Sequence, residues 1–464
     1  MIVQSFNVIK LFGIIDSELS LKPDLSVIVG RNASGKTSVL SLLAHFMHLD
    51  MDSIRATRFE SATAVFAHGS ENITIHAEND GDGSFLSIRW GERQAKISLS
   101  DDLSPRINKR FASPSLATFY GVSTPQEVSE ALQAWNEISR EFRRTSRVTF
   151  VRLDRTVIAV NPQGEEAREE FEPAFRMDSS ASKSPPKDPI DLVIEATRER
   201  FFRYRQELSL IRYSAYKSLM QLHFTPIKST KKKGDIAGLE KKLTNLRARV
   251  SKSQFAKELG TQDEYFNSLV TLLNQAKAPS QRKLGRKTLA EESLQFMLEI
   301  SEHQIEGLLK IFDEEQTRTT KAEREIKSYI DTLEKFLKES GKRLWFSEER
   351  FELAFYVPAI GEKQEGEGRS LKTLSSGERQ VVIVLTYLAF LSGPDSVFII
   401  DEPELSLHLR WQGYLMAALK ALRPQGGQII VATHAPEIAG RAAKNCIQLR
   451  QDYMPEVAEV DDDE

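Results

Sequence analysis

Two hydrophobic rhythms alternate along the chain. From Val3 to Val8, and again from Ile14 to Leu21, apolar and polar positions take turns, the period-two pattern of half-buried strands. Leu25 to Val29 form a short apolar run that predicts a third strand. It leads into a glycine-containing loop and then SVLSLLAHFM, whose apolar positions recur at helical spacing. Short strands are predicted over 63–99, broken by the turn signal NDGDG (79–83). A helix is predicted over 122–146 and a strand from Val148 to Val151.

After a Ser/Pro-rich linker, DSSASKSPPKDP (178–189), the rhythm turns helical from about 190 to 345. Leu294, Leu298, Ile305, Leu308 and Phe312 fall at helical spacing, as do Ile326, Ile330, Leu333 and Leu337. No proline lies between Pro279 and Pro358, and breaks at 229–235 and 277–287 divide the region into about three long helices. Strand character returns from Arg343 to Val357, and the remainder alternates helix and strand. The plan is an α/β head split by a helical, coiled-coil-like insertion. Its parts are 1–180, 190–342 and 343–450, with an acidic tail, 451–464, expected to be disordered.

Composition narrows the class. A chain of 464 residues suits two or three domains, and a net charge of -3 excludes a protein that is basic over its whole surface. No apolar run approaches the roughly 20 residues that span a bilayer. The N-terminus lacks the basic and apolar regions of a secretory signal, so a cytoplasmic protein without a membrane partner is expected. The single cysteine, Cys446, is expected to be a small buried hydrophobe in the last strand.

Against this background the loop Gly30-Arg31-Asn32-Ala33-Ser34-Gly35-Lys36-Thr37 fits the pattern GxxxxGK[ST], directly after a strand and opening a helix. Glycines let the backbone turn its N–H groups toward phosphate oxygens, and the helix N-terminus adds its dipole. Lys36 is expected to reach the β- and γ-phosphates and Thr37 to ligate Mg²⁺. Far along the chain, Val397-Phe398-Ile399-Ile400-Asp401-Glu402-Pro403 is an apolar strand ending in two acids. Asp401 is expected to hold Mg²⁺ and Glu402 to polarise the attacking water.

Leu374-Ser375-Ser376-Gly377-Glu378-Arg379-Gln380 precedes an apolar helix and resembles the signature motif of ATP-binding cassette proteins. The resemblance implies that Ser375, Ser376, Gly377 and Glu378 contact the γ-phosphate of ATP held by an opposite subunit, in a dimer or a multiple of dimers. Glu404-Leu405-Ser406-Leu407-His408 resembles the D-loop of that family. Gln428 to Ile438, ending THAPEI, resembles the histidine switch of RecF-like and OLD-like ATPases and makes His434 the sensor of the γ-phosphate. Ala435 stands where the family pattern has Ser. Val148 to Arg155 resembles the strand that ends in the Q-loop, with Asp154 in the glutamine's place, either in the metal shell or outside the matching segment altogether.

The long separation of Lys36 from Gly377 departs from a compact transporter cassette. SMC and RecF proteins carry comparable insertions as antiparallel arms; a helical subdomain packed on the core is the other reading. From Lys228 to Lys252, nine Lys or Arg stand against Asp235 and Glu240, and Arg282, Lys283, Arg286 and Lys287 continue the basic character. Such a stretch either binds DNA phosphates or forms a solvated face. The residues after His434 are too few for the nuclease domain of OLD-type proteins. The chain therefore resembles the ATPase subunits of two-component anti-phage systems, of the PARIS AriA or Septu PtuA kind. That resemblance implies a separate nuclease or toxin as effector; a RecF-like ATPase of DNA repair is the alternative.

Overall fold

The computed structural model describes residues 1–31, 34–79, 84–99, 125–151, 157–160, 188–224, 236–259, 262–277, 289–347, 351–358 and 368–449. The alternating N-terminal segments form β1 (Ile2–Leu11) and β2 (Ile15–Ser20), followed by β3 (Leu25–Val29), α1 (Lys36–His48) and α2 (Met51–Ala56). The region of short strands becomes β4 (Ser61–His68), β5 (Glu71–Glu78), β6 (Phe85–Trp90) and β7 (Arg93–Ser98). These pair antiparallel in the order β2-β1-β4-β5-β6-β7. The predicted helix over 122–146 is α3 (Pro125–Thr145), leading to β8 (Val148–Val151) and β9 (Val157–Val160).

The helical stretch contains α4 (Pro189–Phe224), α5 (Ile236–Val250), α6 (Gln254–Leu259), α7 (Gln262–Lys277) and α8 (Leu289–Leu337). Free of proline, α8 runs unbroken for 49 residues. Next come β10 (Arg343–Ser347), β11 (Glu352–Tyr356) and β12 (Arg369–Ser370), a small antiparallel sheet. The chain continues through α9 (Ser376–Thr386), β13 (Val397–Asp401), α10 (Leu409–Leu422), β14 (Gln428–Thr433), α11 (Pro436–Arg441) and β15 (Cys446–Gln448).

The second large sheet has the order β15-β3-β14-β13-β8-β9 and is parallel except for β9 against β8. Its central strands are buried at nearly every position and mostly apolar because both faces are covered. Val397 and Ile399 of β13 point into one core, with Phe46 and Val39 of α1; Phe398 and Ile400 point into the other, with Val381 to Leu385 of α9. Gln428, at the start of β14, ties this sheet to the antiparallel one. Its buried amide accepts from Val3 N at 2.8 Å and donates to the carbonyls of Val3 and Lys22, each at 2.8 Å.

The chain divides into two compact units: Met1–Glu199 with Ser328–Glu464, and Arg200–Lys327. The helical unit thus lies inside the 190–342 read from the sequence. The reason is that Ile190 and Val193 at the start of α4, and Tyr329, Leu333 and Phe336 at the end of α8, are buried in the head beside α9. Tyr329 Oη and Thr386 Oγ1 share a buried 2.7 Å hydrogen bond there. Within the helical unit, Leu239, Leu243 and Leu246 of α5 share a core with Phe266 and Leu269 of α7 and with Ile305 and Phe312 of α8. Cys446 does lie in the last strand but is only half-buried, its thiol donating to Ala439 O at 3.3 Å. The acidic tail 451–464 lies outside the described residues.

Candidate nucleotide site

Strand register assembles the site. Val29 pairs with Thr433, and Ala432 with Asp401, so the carboxyl ends of β3, β14 and β13 lie side by side. Just beyond those ends come Gly30, His434 and Glu402. Open α/β sheets bind ligands along this edge. The strand carrying His434 lies between the one that feeds the phosphate loop and the one that ends in the acids.

The loop's geometry follows from its glycines. Gly35 has a φ of 81°, and a Cβ there would meet Ile15 Cδ1 at 2.5 Å, so the position needs glycine on both counts. Lys36 is buried, and its ammonium donates to the carbonyls of Gly30 and Arg31 at 3.0 Å each. Ser34 is buried, with no protein partner for its hydroxyl. Arg31 is exposed, and Asn32 and Ala33 lie outside the described residues.

Thr37 Oγ1 donates to Asp401 Oδ2 at 2.6 Å, which joins the two distant motifs directly. Asp401 is buried, and its second oxygen, Oδ1, has no protein hydrogen bond. Burial raises the Asp401 carboxyl above its ordinary range, against the Thr37 hydrogen bond; Glu402 and Glu404 push it further up while Lys36 opposes them. A hydroxyl, an orphaned carboxylate oxygen and an excess of negative charge fit Mg²⁺. That ion takes few protein ligands and completes its shell with water and phosphate oxygens. Among the described residues no group of three or more His, Cys, Asp or Glu is arranged to hold a metal by itself. Asp154 lies outside the described residues.

Glu402 has a φ of 45°, a left-handed conformation that is strained for a side chain of this size. Its N–H continues the ladder to Ala432 O at 2.9 Å while its carboxylate turns toward His434, whose Nδ1 is 3.6 Å away. His434 is exposed and within reach of a ligand at the sheet edge.

Sequence reasoning passed over the part played by Glu404. Its side chain is 4% exposed. One oxygen accepts from Thr433 Oγ1 at 2.6 Å, His434 N at 2.9 Å and Ala435 N at 3.2 Å, and lies 3.2 Å from His434 Nδ1. The sequence placed Glu404 at the head of the D-loop resemblance without a role of its own, because its partners are largely backbone groups that leave no trace in sequence.

In the signature segment, Ser375 and Ser376 stand exposed at the N-terminus of α9. Gly377 is buried, and a Cβ there would lie 2.5 Å from Ser406 O. Its need for glycine is therefore already set by this chain's own 404–408 turn. Glu378 faces inward. It accepts from Ser375 N at 2.8 Å, from Ser340 Oγ at 2.6 Å and from Lys342 Nζ at 2.7 and 2.6 Å. Burial opposes its charge, yet the bonds from Lys342, Ser340 and Ser375 prevail and hold the carboxyl down at about 2. Both of its oxygens are thus engaged within the chain, which leaves the two serines as the groups that face outward.

Of the basic stretch 228–252, residues 228–235 lie outside the described residues, as do Arg282, Lys283, Arg286 and Lys287. Lys242 is bound to Glu302 at 2.6 Å and Glu306 at 2.5 Å, and Arg249 is paired with Asp313. Lys241, Arg247 and Lys252 are exposed.

Residues 1–439 match the family described as AAA ATPase domain. The chain is 38% identical over 85 residues to a protein of Methanosarcina acetivorans named as an ABC transporter ATP-binding protein, across 18% of this chain and 30% of that one. It is 40% identical over 70 residues to the UvrABC system protein A of Aquifex aeolicus, across 15% of this chain and 7% of that one. The chain thus spans less than a third of the length of these curated relatives. The Smc head domain of Pyrococcus furiosus, solved with an extended coiled coil and bound to the C-terminal domain of ScpA, matches with a TM-score of 0.36 and 13% identity. That match covers 97% of this chain and 94% of the other.

Proposed function

Because the chain belongs to the AAA ATPase domain family, we propose that it binds ATP at the shared edge of β3, β14 and β13 and hydrolyses it to ADP and phosphate. The observation that carries this reading is the 2.6 Å bond from Thr37 to Asp401, which brings the phosphate loop and the acidic strand into one site. The N–H groups of the loop and Lys36 hold the phosphates. Thr37 and Asp401 hold Mg²⁺, which when bound draws off charge from the phosphate oxygens. Glu402 accepts a proton from the attacking water, and His434 contacts the γ-phosphate.

Two copies close over two nucleotides, with Ser375 and Ser376 of each facing the other's ATP; the exposure of both residues at a helix N-terminus supports this. The assembly is a dimer or a multiple of dimers. In the cell, nucleotide-gated closure makes the protein the sensor and scaffold of a two-component anti-phage system whose nuclease is a separate chain. This role rests on the motif set together with the helical unit, and co-purification of a nuclease from the native host tests it.

ATP turnover by the purified chain, compared with Lys36→Ala and Glu402→Gln, tests the chemistry. Lys36→Ala should lose nucleotide binding, whereas Glu402→Gln should bind ATP and fail to turn it over. Equal activity in all three would overturn the assignment. A second reading, a RecF-like DNA-repair ATPase, draws on the exposed Lys241, Arg247 and Lys252. It requires turnover stimulated by DNA, and DNA retention that drops when Lys231, Lys232, Lys233, Lys241 and Lys242 are neutralised.

A further inference from the structure

We infer that Glu404 is the positioning residue of the γ-phosphate sensor, and that through it the 404–408 turn sets where the His434 imidazole stands. The inference rests on the reading of His434 given above and adds to it the group that controls it. A single carboxylate oxygen gathers the hydroxyl of Thr433, the N–H groups of His434 and Ala435, and the edge of the imidazole at Nδ1. Three donors on one buried oxygen fix the backbone at residues 433–435, and the same oxygen lies 3.2 Å from the ring of His434 at Nδ1. The ring itself is 38% exposed, and its other carboxylate neighbour, Glu402 Oε1, lies farther off at 3.6 Å from Nδ1. Charge-assisted bonds of this kind are the stronger class.

The same turn is locked at its middle residue as well. Ser406, with a φ of 65°, presents its carbonyl to Gly377 so closely that no side chain fits between them. The N-terminus of α9 is therefore in contact with the turn, and the turn's Glu404 is bonded to the sensor. In a closed dimer the serines of α9 face one nucleotide and His434 the other. A shift of α9 on meeting the partner's ATP is thus transmitted through three residues, Ser406 to Glu404, to the histidine of the second site.

The test compares Glu404→Gln, Glu404→Ala, His434→Ala and the Glu404→Ala/His434→Ala double variant. The readouts are kcat, KM for ATP, and hydrogen exchange at the amides of His434 and Ala435. Glu404→Ala should lower kcat roughly 10- to 100-fold while KM stays within a factor of about three, because misplacement of a reacting group falls on the chemical step. Glu404→Gln, which keeps an acceptor oxygen, should recover most of the loss. In the His434→Ala background Glu404→Ala should add little, since the two act as one unit. Full additivity in the double variant, or a Gln variant as impaired as Ala, overturns the inference. The exchange measurement does not depend on turnover: faster exchange at residues 434 and 435 in Glu404→Ala, reversed in Glu404→Gln, is expected even if the chain proves to lack ATPase activity. Unchanged exchange in the Ala variant would overturn the anchoring itself.

Discussion

Two carboxylates in the head have opposite fates because of what surrounds them. Asp401 is buried beside Glu402 and Glu404, so its charge is disfavoured until a cation joins it. Glu378 is buried beside Lys342 and keeps its charge easily. A pH consequence follows for Glu378. Its carboxyl titrates near 2 in the fold against an ordinary 4.5, so it stabilises the native state fully above about pH 4.5, and that contribution fades as the pH falls toward 2. Glu378→Gln should melt well below the parent chain at pH 7, with the gap narrowing by pH 3; thermal unfolding at the two pH values checks this. At the nucleotide site, Thr37→Ala and Asp401→Asn should each abolish magnesium-dependent turnover while leaving the fold intact. Activity assays with circular dichroism as the folding control would measure both.

Among the elements, what could be read in the sequence was whatever depends on local rhythm. The strand Leu25–Val29 and the apolar run 397–400 were legible because burial on both faces leaves few polar positions. The long α8 was legible from its freedom from proline. The seam between the sheets was not: Gln428 reads as the polar start of a strand, and its three partners are backbone groups of residues 3 and 22. Gln428→Leu should lower stability by roughly 2–4 kcal/mol, since it removes the partner of two buried backbone groups of Val3 and a part-buried one of Lys22, as chemical denaturation would show. The signature glycine was legible as a glycine but not for its local reason, which lies in a turn 29 positions downstream at Ser406. Gly377→Ala should cost roughly 1–3 kcal/mol because backbone must move. Gly440→Ala, in a helix with open space around the position, should be neutral or stabilising by up to about 1 kcal/mol. Denaturant midpoints of the two variants, side by side, separate crowding from helix propensity.

For the whole molecule, the sharpest expectation concerns mass. Glu402→Gln should shift to a larger even-numbered species on addition of ATP, by light scattering or native mass spectrometry. A species that ATP leaves unchanged would mean that other surfaces hold the assembly. The strand order also has a consequence for how the protein is made. Both neighbours of β3 in its sheet, β14 and β15, come from the last part of the chain. A ribosome adding about 5–20 residues each second must lay down roughly 400 more after β3 before its partner strand exists, a wait of about 20–80 s. For that interval the nascent chain carries an apolar strand edge with nothing to pair against, an opening for chaperones and a hazard for aggregation on crowded polysomes. The long helical segment sits in the middle of that delay. Slower translation there would prolong the exposure, so the yield of soluble protein should depend on synthesis rate and chaperone supply more than native stability alone would suggest.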